Sequence, residues 1–300
     1  MRFAPKRPAV AALVVLTAVL MTACSGSDPA EPDVTAVARY RPWPLGDLGV
    51  YTAQVAFDRA GEWRLEISVD GTRVAPATSL GPTPGTPALS ATVISTDLGV
   101  GVNRLVFALL DRGSNTAAKK PEAQVSLYRP GTGFDDVTTT VQVKEESSTP
   151  AIGSSAPPSV NKTGRDVETL DHLTTSPTPD VDLYGMTIRD ALSSGIPLVV
   201  SFATPAFCQT ATCGPQVEVL SKVKDRYRGR ANFIHVEVFD NPHEIEGDLS
   251  RAHPVPSVEE WGLPTEPWTF IVDGDGTVAA KFEAFATAEE IEEGLAGVLQ

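Results

Sequence analysis

The chain has 300 residues, more than a single hydrophobic core usually organises, so two modules are expected once any targeting segment is set aside. Hydrophobic residues make up 42% and charged residues 21%, which excludes a wholly disordered, collagenous or disulfide-dense chain. The net charge of −14 repels phosphate backbones and anionic headgroups, which argues against nucleic acid as a partner and against electrostatic membrane contact.

Arg2, Lys6 and Arg7 precede an apolar run from Ala9 to Leu20, and Met21-Thr22-Ala23-Cys24 follows. The run is shorter than the roughly 20 residues of a spanning helix and has the charge and spacing of an export signal. Its end resembles a bacterial lipobox, with Met21 where leucine is usual. That likeness makes residues 1–23 the signal peptide, Cys24 the lipidated mature terminus, and the bacterial cell membrane the anchorage. Residues 24–36 read as a polar tether, and everything beyond Cys24 is expected to be extracytoplasmic. Two cysteines then remain, Cys208 and Cys213, close in sequence and in a compartment where disulfides persist.

From Tyr51 the apolar residues alternate: Tyr51, Ala53, Val55 and Phe57, then Trp63, Leu65, Ile67 and Val69. The spacing predicts a hairpin across Asp58–Gly61. Further strands are expected at Leu89–Ile94, Arg104–Leu110, Gln124–Tyr128 and Val137–Val143, divided by Gly, Pro and Asp/Asn clusters. Short strands with turn punctuation and no helix predict an all-β, Ig-like sandwich over residues 37–143. The phrases GVYTAQVAFDRAGEW and NRLVFALLDRG are similar to those of small extracytoplasmic Ig-like modules. Residues 144–166, rich in Ser, Pro, Thr and Gly, read as a linker, and the region from about Val160 onward is expected to fold alone.

Over residues 167–300 the pattern becomes α/β. A short helix over Thr187–Ser194 precedes the apolar strand Pro197–Phe202, and a helix over Pro215–Tyr227 carries Val217, Leu220, Val223 and Tyr227 near one face. A strand follows at Asn232–Phe239, then a short helix over Val258–Trp261. A hairpin of Trp268–Val272 with Thr277–Phe285 and a final helix from Thr287 close the chain. Thr287 and Glu290 have capping-box spacing. Asp273-Gly-Asp-Gly276 suits the hairpin turn better than a calcium loop, because the downstream bidentate Glu is missing.

The segments PLVVSFATPAFCQTATCGP (197–215), NFIHVEVFD (232–240) and WGLPTEPWTFIVDGDG (261–276) resemble extracytoplasmic thioredoxin-like thiol-disulfide proteins of the TlpA-like kind. The likeness covers a little under half the chain. It implies a thioredoxin-like fold with Cys208 and Cys213 as the redox pair, Pro267 as a cis-proline beside them, and no dissociable organic cofactor. Its implied partners are extracytoplasmic protein thiols or disulfides and an unidentified redox partner. Two departures stand out. The cysteines are separated by four residues where the family has two, and Ser201 lies near the place of a buried proton-relaying acid.

Two registers remain open for the attacking cysteine. The resemblance favours Cys208, which follows the strand and Phe207. Helix-terminus electrostatics favour Cys213 as the lower-pKa thiol, since Cys213-Gly214-Pro215 begins a helix. Two other functions fit the same residues: a non-catalytic binding module whose disulfide is structural, and a copper-delivery protein using both thiolates. His172, His235, His243 and His253 show no diagnostic ligand spacing.

Overall fold

The computed structural model describes residues 31–43, 49–76, 88–114, 116–120, 122–129, 139–208 and 212–299. The signal peptide and Cys24 lie outside them. Among the described residues no helix is long and apolar enough to cross a membrane.

The N-terminal part is all strand: β1 (Val34–Pro42), β2 (Gly49–Phe57), β3 (Gly61–Val69), β4 (Thr72–Arg73), β5 (Ala75–Pro76), β6 (Leu89–Val93), β7 (Gly101–Asp111), β8 (Thr116–Ala117), β9 (Glu122–Tyr128) and β10 (Thr139–Val143). β1 opens at Val34, inside the expected tether. The hydrogen-bonded order is β10-β3-β9-β1-β2-β7-β6-β5. β1 changes partner midway, pairing with β9 through Val34–Arg39 and with β2 through Arg39–Pro42.

The expected hairpin between Tyr51–Phe57 and Trp63–Val69 is not formed. β2 pairs with β1 and β7, whereas β3 pairs with β9 and β10. Both strands nevertheless bury their alternating apolar sets in one core, and Phe57 meets Trp63 edge to face at 5.1 Å. A period of two specifies which face is buried, but not whether consecutive strands are neighbours or face each other across a core.

The C-terminal part comprises α1 (Ile188–Ser193), β11 (Leu198–Ala203), α2 (Cys213–Arg226), β12 (Asn232–Glu237), α3 (Pro242–Ile245), α4 (Pro256–Glu260), β13 (Trp268–Val272), β14 (Val278–Glu283) and α5 (Ala288–Ala296). The sheet order is β12-β11-β13-β14, with β11 parallel to β12 and the other two pairs antiparallel. Every residue of β11 is buried, because each face is covered. Val199 and Ala203 join a core with α2 and α5, while Leu198, Val200 and Phe202 join one with α1, Trp261 and Trp268. The order and directions are those of a thioredoxin-like domain. Thr287 and Glu290 form the expected capping box on α5.

Residues 144–166 are not a free spacer. Ala156 is buried in the α/β core, Gly153 N–H donates to the Val278 carbonyl (2.8 Å), and Trp261 Nε1 donates to Ser159 Oγ (3.1 Å). A side chain on Gly262 would overlap the Ser148 carbonyl. Asp97 gathers N–H and hydroxyl donors from Ser148 and Thr149, and the Lys144 ammonium at 2.8 Å. Burial alone would push this carboxyl up, but Lys144 and the Ser147 and Ser148 donors outweigh it and hold it far below the usual range. Composition marked the stretch as linker because its anchors are hydroxyls and backbone groups, which composition cannot tell from solvated ones.

The two parts are also joined directly. Arg104 of β7 sends Nε to Glu290 Oε1 (2.9 Å), Nη1 to the Glu283 carbonyl (2.7 Å) and Nη2 to the Phe285 carbonyl (2.9 Å). Arg104 is 8% exposed and Glu290 6%. Burial pushes Glu290 up, yet Arg104 outweighs it and holds the carboxyl below its ordinary value. Glu283 in turn accepts from the backbone N–H of Thr96, at 2.9 Å on Oε2. Residues 31–300 accordingly form one compact unit. Removing one partner of a buried pair leaves an uncompensated charge, so Arg104→Ala is expected to cost about 3–5 kcal/mol in denaturant unfolding. A loss below about 1 kcal/mol would show that the junction does not support the fold.

Candidate functional site

The strand register sets where the site lies. β11 runs from Leu198 to Ala203, and Phe202 pairs with Trp268 at the start of β13. Trp268 also pairs with Glu283 at the end of β14. The segment leading to Cys208, the Glu266-Pro267 peptide before β13 and the turn after β14 therefore leave the sheet at one end of its strands. α2 begins there with Cys213.

Cys208 and Cys213 are joined by a disulfide with Cα atoms 5.9 Å apart. The Cys208 N–H donates to the Thr204 carbonyl at 3.1 Å, which turns the chain back after β11. Cys213 is the first residue of α2 and fully buried, whereas Cys208 is only partly buried. Cys213 thus stands at a helix start, where the sequence placed it, and is the more buried of the two. A sulfur at a helix start is favoured as thiolate, while Cys208 is the less buried residue of the pair. The Glu266-Pro267 bond is cis. Burial pushes the Glu266 carboxyl above its ordinary value.

Ser201 faces Thr269 across the sheet, hydroxyl to hydroxyl at 3.1 Å, and both are fully buried. An acid does lie nearby, on the neighbouring strand. Glu237 ends β12 opposite Ala203, is 4% exposed, and its Oε2 accepts from the Thr175 N–H and hydroxyl, both at 2.8 Å. Thr175 Oγ1 accepts from the Ala206 N–H (3.0 Å), which ties this carboxyl to the segment before Cys208. Burial pushes Glu237 up to about 7, against the donors of Thr175. The signal for it was a charged residue inside the apolar run NFIHVEVF.

His235, two residues earlier, is 2% exposed. Its Nε2 faces the Ala203 carbonyl at 3.1 Å, which only accepts, so Nε2 carries the proton and Nδ1 accepts from the Tyr184 hydroxyl at 2.8 Å. Burial pushes this imidazole down to about 4 and keeps it neutral. His172 stacks on His243 at 4.0 Å, and His172, His235 and Glu237 line one cavity of about 190 Å³. Among the described residues no cluster of His, Cys, Asp and Glu is arranged to hold a metal ion.

Gln216, one turn into α2, is fully buried, and its Oε1 accepts from the Ala286 N–H at 2.8 Å. The turn after β14 is thereby fixed to the helix that carries Cys213. Sequence reasoning missed this residue, since a glutamine in a helix is ordinarily exposed.

No protein-family model matches the chain, and no curated protein does either. Solved structures give remote likenesses. A putative thiol:disulfide interchange protein DsbE from Chlorobium tepidum has 13% identity and a TM-score of 0.37 over 51% of this chain and all of that one. A thiol:disulfide interchange protein of the thioredoxin family from Chlorobium tepidum TLS has 15% identity and a TM-score of 0.31 over 43% and 97%. Chloroplastic thioredoxin z has 19% identity and a TM-score of 0.26 over 36% and 82%.

The two buried titratable groups give a signed expectation. Glu237 binds its proton more tightly folded than unfolded, so its contribution to stability is complete below pH 4.5 and is lost as pH rises through about 7. His235 does the reverse: its contribution is complete above pH 6.5 and is lost as pH falls through about 4. Between pH 4.5 and 6.5 the two slopes, each about 1.4 kcal/mol per pH unit, oppose each other. Glu237→Gln removes one of them. Relative to wild type, the variant is expected to gain about 2–3 kcal/mol between pH 4.5 and 7.5 in urea unfolding. Parallel stability curves would contradict the burial assigned to Glu237.

Proposed function

We propose that this protein is an exported thiol-disulfide oxidoreductase, lipid-anchored through Cys24, in which an N-terminal Ig-like β-sandwich carries a thioredoxin-like domain. It acts on extracytoplasmic protein thiols or disulfides. The observation that carries the reading is the pairing of a partly exposed Cys208 with a buried Cys213 at the end of the sheet that also holds the cis Glu266-Pro267 bond. The cationic start, the short apolar run and Cys24 support export and lipidation.

In this mechanism a partner thiolate attacks Cys208 Sγ. The Cys208–Cys213 bond breaks and Cys213 leaves as a thiolate that takes up a proton. A second partner thiolate then attacks the partner sulfur of the mixed disulfide and releases Cys208. The partner loses two electrons and two protons to become a disulfide, and the protein gains both to become a dithiol. The reverse sequence starts from the Cys208 thiolate and a partner disulfide. The start of α2 stabilises Cys213 as the leaving thiolate, which is where helix-terminus electrostatics act.

The alternative is a binding module whose disulfide only braces the loop. Single-cysteine variants separate the two. With a disulfide-bonded peptide, Cys213→Ser is expected to trap a mixed disulfide on Cys208, and Cys208→Ser to trap at least about tenfold less because Cys213 is inaccessible. Trapping by neither variant in the folded state would move the function to the binding module. For the anchor, Cys24→Ser is expected to shift the protein from membrane to soluble fractions. A variant that stays membrane-bound and unprocessed would contradict lipidation.

A further inference from the structure

Among the side chains by which the β region reaches the end of the α/β sheet that carries the disulfide, Trp43 is the aromatic one. Trp43 follows directly on β1 and is partly exposed, and it packs against the α/β core that holds Cys213 and borders Cys208. Its indole meets Phe285 edge to face, with centroids 6.5 Å apart. Phe285 lies in the turn after β14, whose Ala286 N–H is held by Gln216 of α2 and whose Phe285 carbonyl is held by Arg104 of β7. The end of β1 is clamped as well, since Arg41 Nη1 lies 2.7 Å from Glu289 Oε2 on α5. The indole thus rests on Phe285, in the turn that leaves the sheet at the same end as the segments carrying Cys208 and Pro267.

We propose that Trp43 forms one wall of the docking surface for the polypeptide that exchanges with Cys208–Cys213, and selects partners with an apolar residue beside the reacting cysteine. This rests on the oxidoreductase reading. A partly exposed tryptophan on a rigid mount offers a large apolar face at little entropic cost, which is the character of a binding hot spot. The acidic body of the protein, with its net charge of −14, leaves apolar contact as the chief attraction for a neutral or acidic partner. The β region therefore contributes to specificity as well as carrying the redox domain. Trp43 is a positioning residue: it contacts the partner chain and not the sulfurs.

The test is single-turnover oxidation of two thiols by the full extracytoplasmic chain. One is a reduced two-cysteine peptide with Leu and Phe beside its cysteines. The other is glutathione, too small to span from Cys208 to the indole. Trp43→Ala is expected to raise the half-saturating peptide concentration about tenfold, with the limiting rate and the glutathione rate changed less than about twofold. Trp43→Phe, which keeps an aromatic face and its packing on Phe285, is expected to recover most of the peptide affinity, and it serves as the folding control. Equal effects on peptide and glutathione, or none on either, would overturn the role of Trp43 while leaving the oxidoreductase reading in place. A wild-type disulfide that reacts with neither thiol until the chain unfolds would overturn both.

Discussion

The guanidinium of Arg104 is the junction on which the arrangement depends. It rises from a central strand of the β region and ends among two carbonyls and a carboxylate of the α/β region, all removed from water. A charge so placed is tolerable only when every donor is used and the counter-charge is fixed. Glu290 is fixed by the capping box at the start of α5, and the carbonyls by the turn after β14. The ion pair itself adds little net stability compared with an apolar contact of the same volume. Its value is in register, because only one relation of the two regions satisfies it.

That register extends to the disulfide. The turn held by Arg104 is held again by Gln216, one helical turn after Cys213, and it carries the ring on which Trp43 rests. On the opposite flank, the segment before Cys208 is tied through Ala206 and Thr175 to Glu237. Two polar anchors, each deeply buried, thus bracket the segment and helix joined by the disulfide. Ser201 and Thr269 satisfy each other beneath it, so the titratable acid of this site stands on β12 and not on the central strand. Burial holds this carboxyl well above its ordinary value, on a strand beside the segment that leads to Cys208.

Much of this was legible in the sequence, and the failures have physical causes. The β11 strand, the α2 helix, the β13-β14 hairpin and the cap at Thr287 follow from apolar periodicity and local hydrogen bonding, which act within a few residues. Which strands pair in the β region depends on contacts far apart in sequence, so the supposed hairpin at Asp58–Gly61 became a connection between strands that do not pair. The spacer at 144–166 and the residues Arg104, Trp43 and Gln216 were obscure for the same reason: their partners lie up to some 240 positions away or are backbone groups with no sequence signature. Cys213 shows the competition most plainly. The local rule placed it at a helix start, but its complete burial comes from the packing of α2 on the sheet, which no local rule contains.

The central claim is that the Cys208–Cys213 bond is a working couple and not a brace, and the reduction potential of the pair in the folded protein tests it most directly. Equilibration against glutathione and dithiothreitol buffers, read by mass after alkylation, gives the value. A potential above about −300 mV, within reach of thiol partners outside the cytoplasm, is the expected result. A potential well below that would contradict the claim, since a bond so resistant to reduction could only be structural.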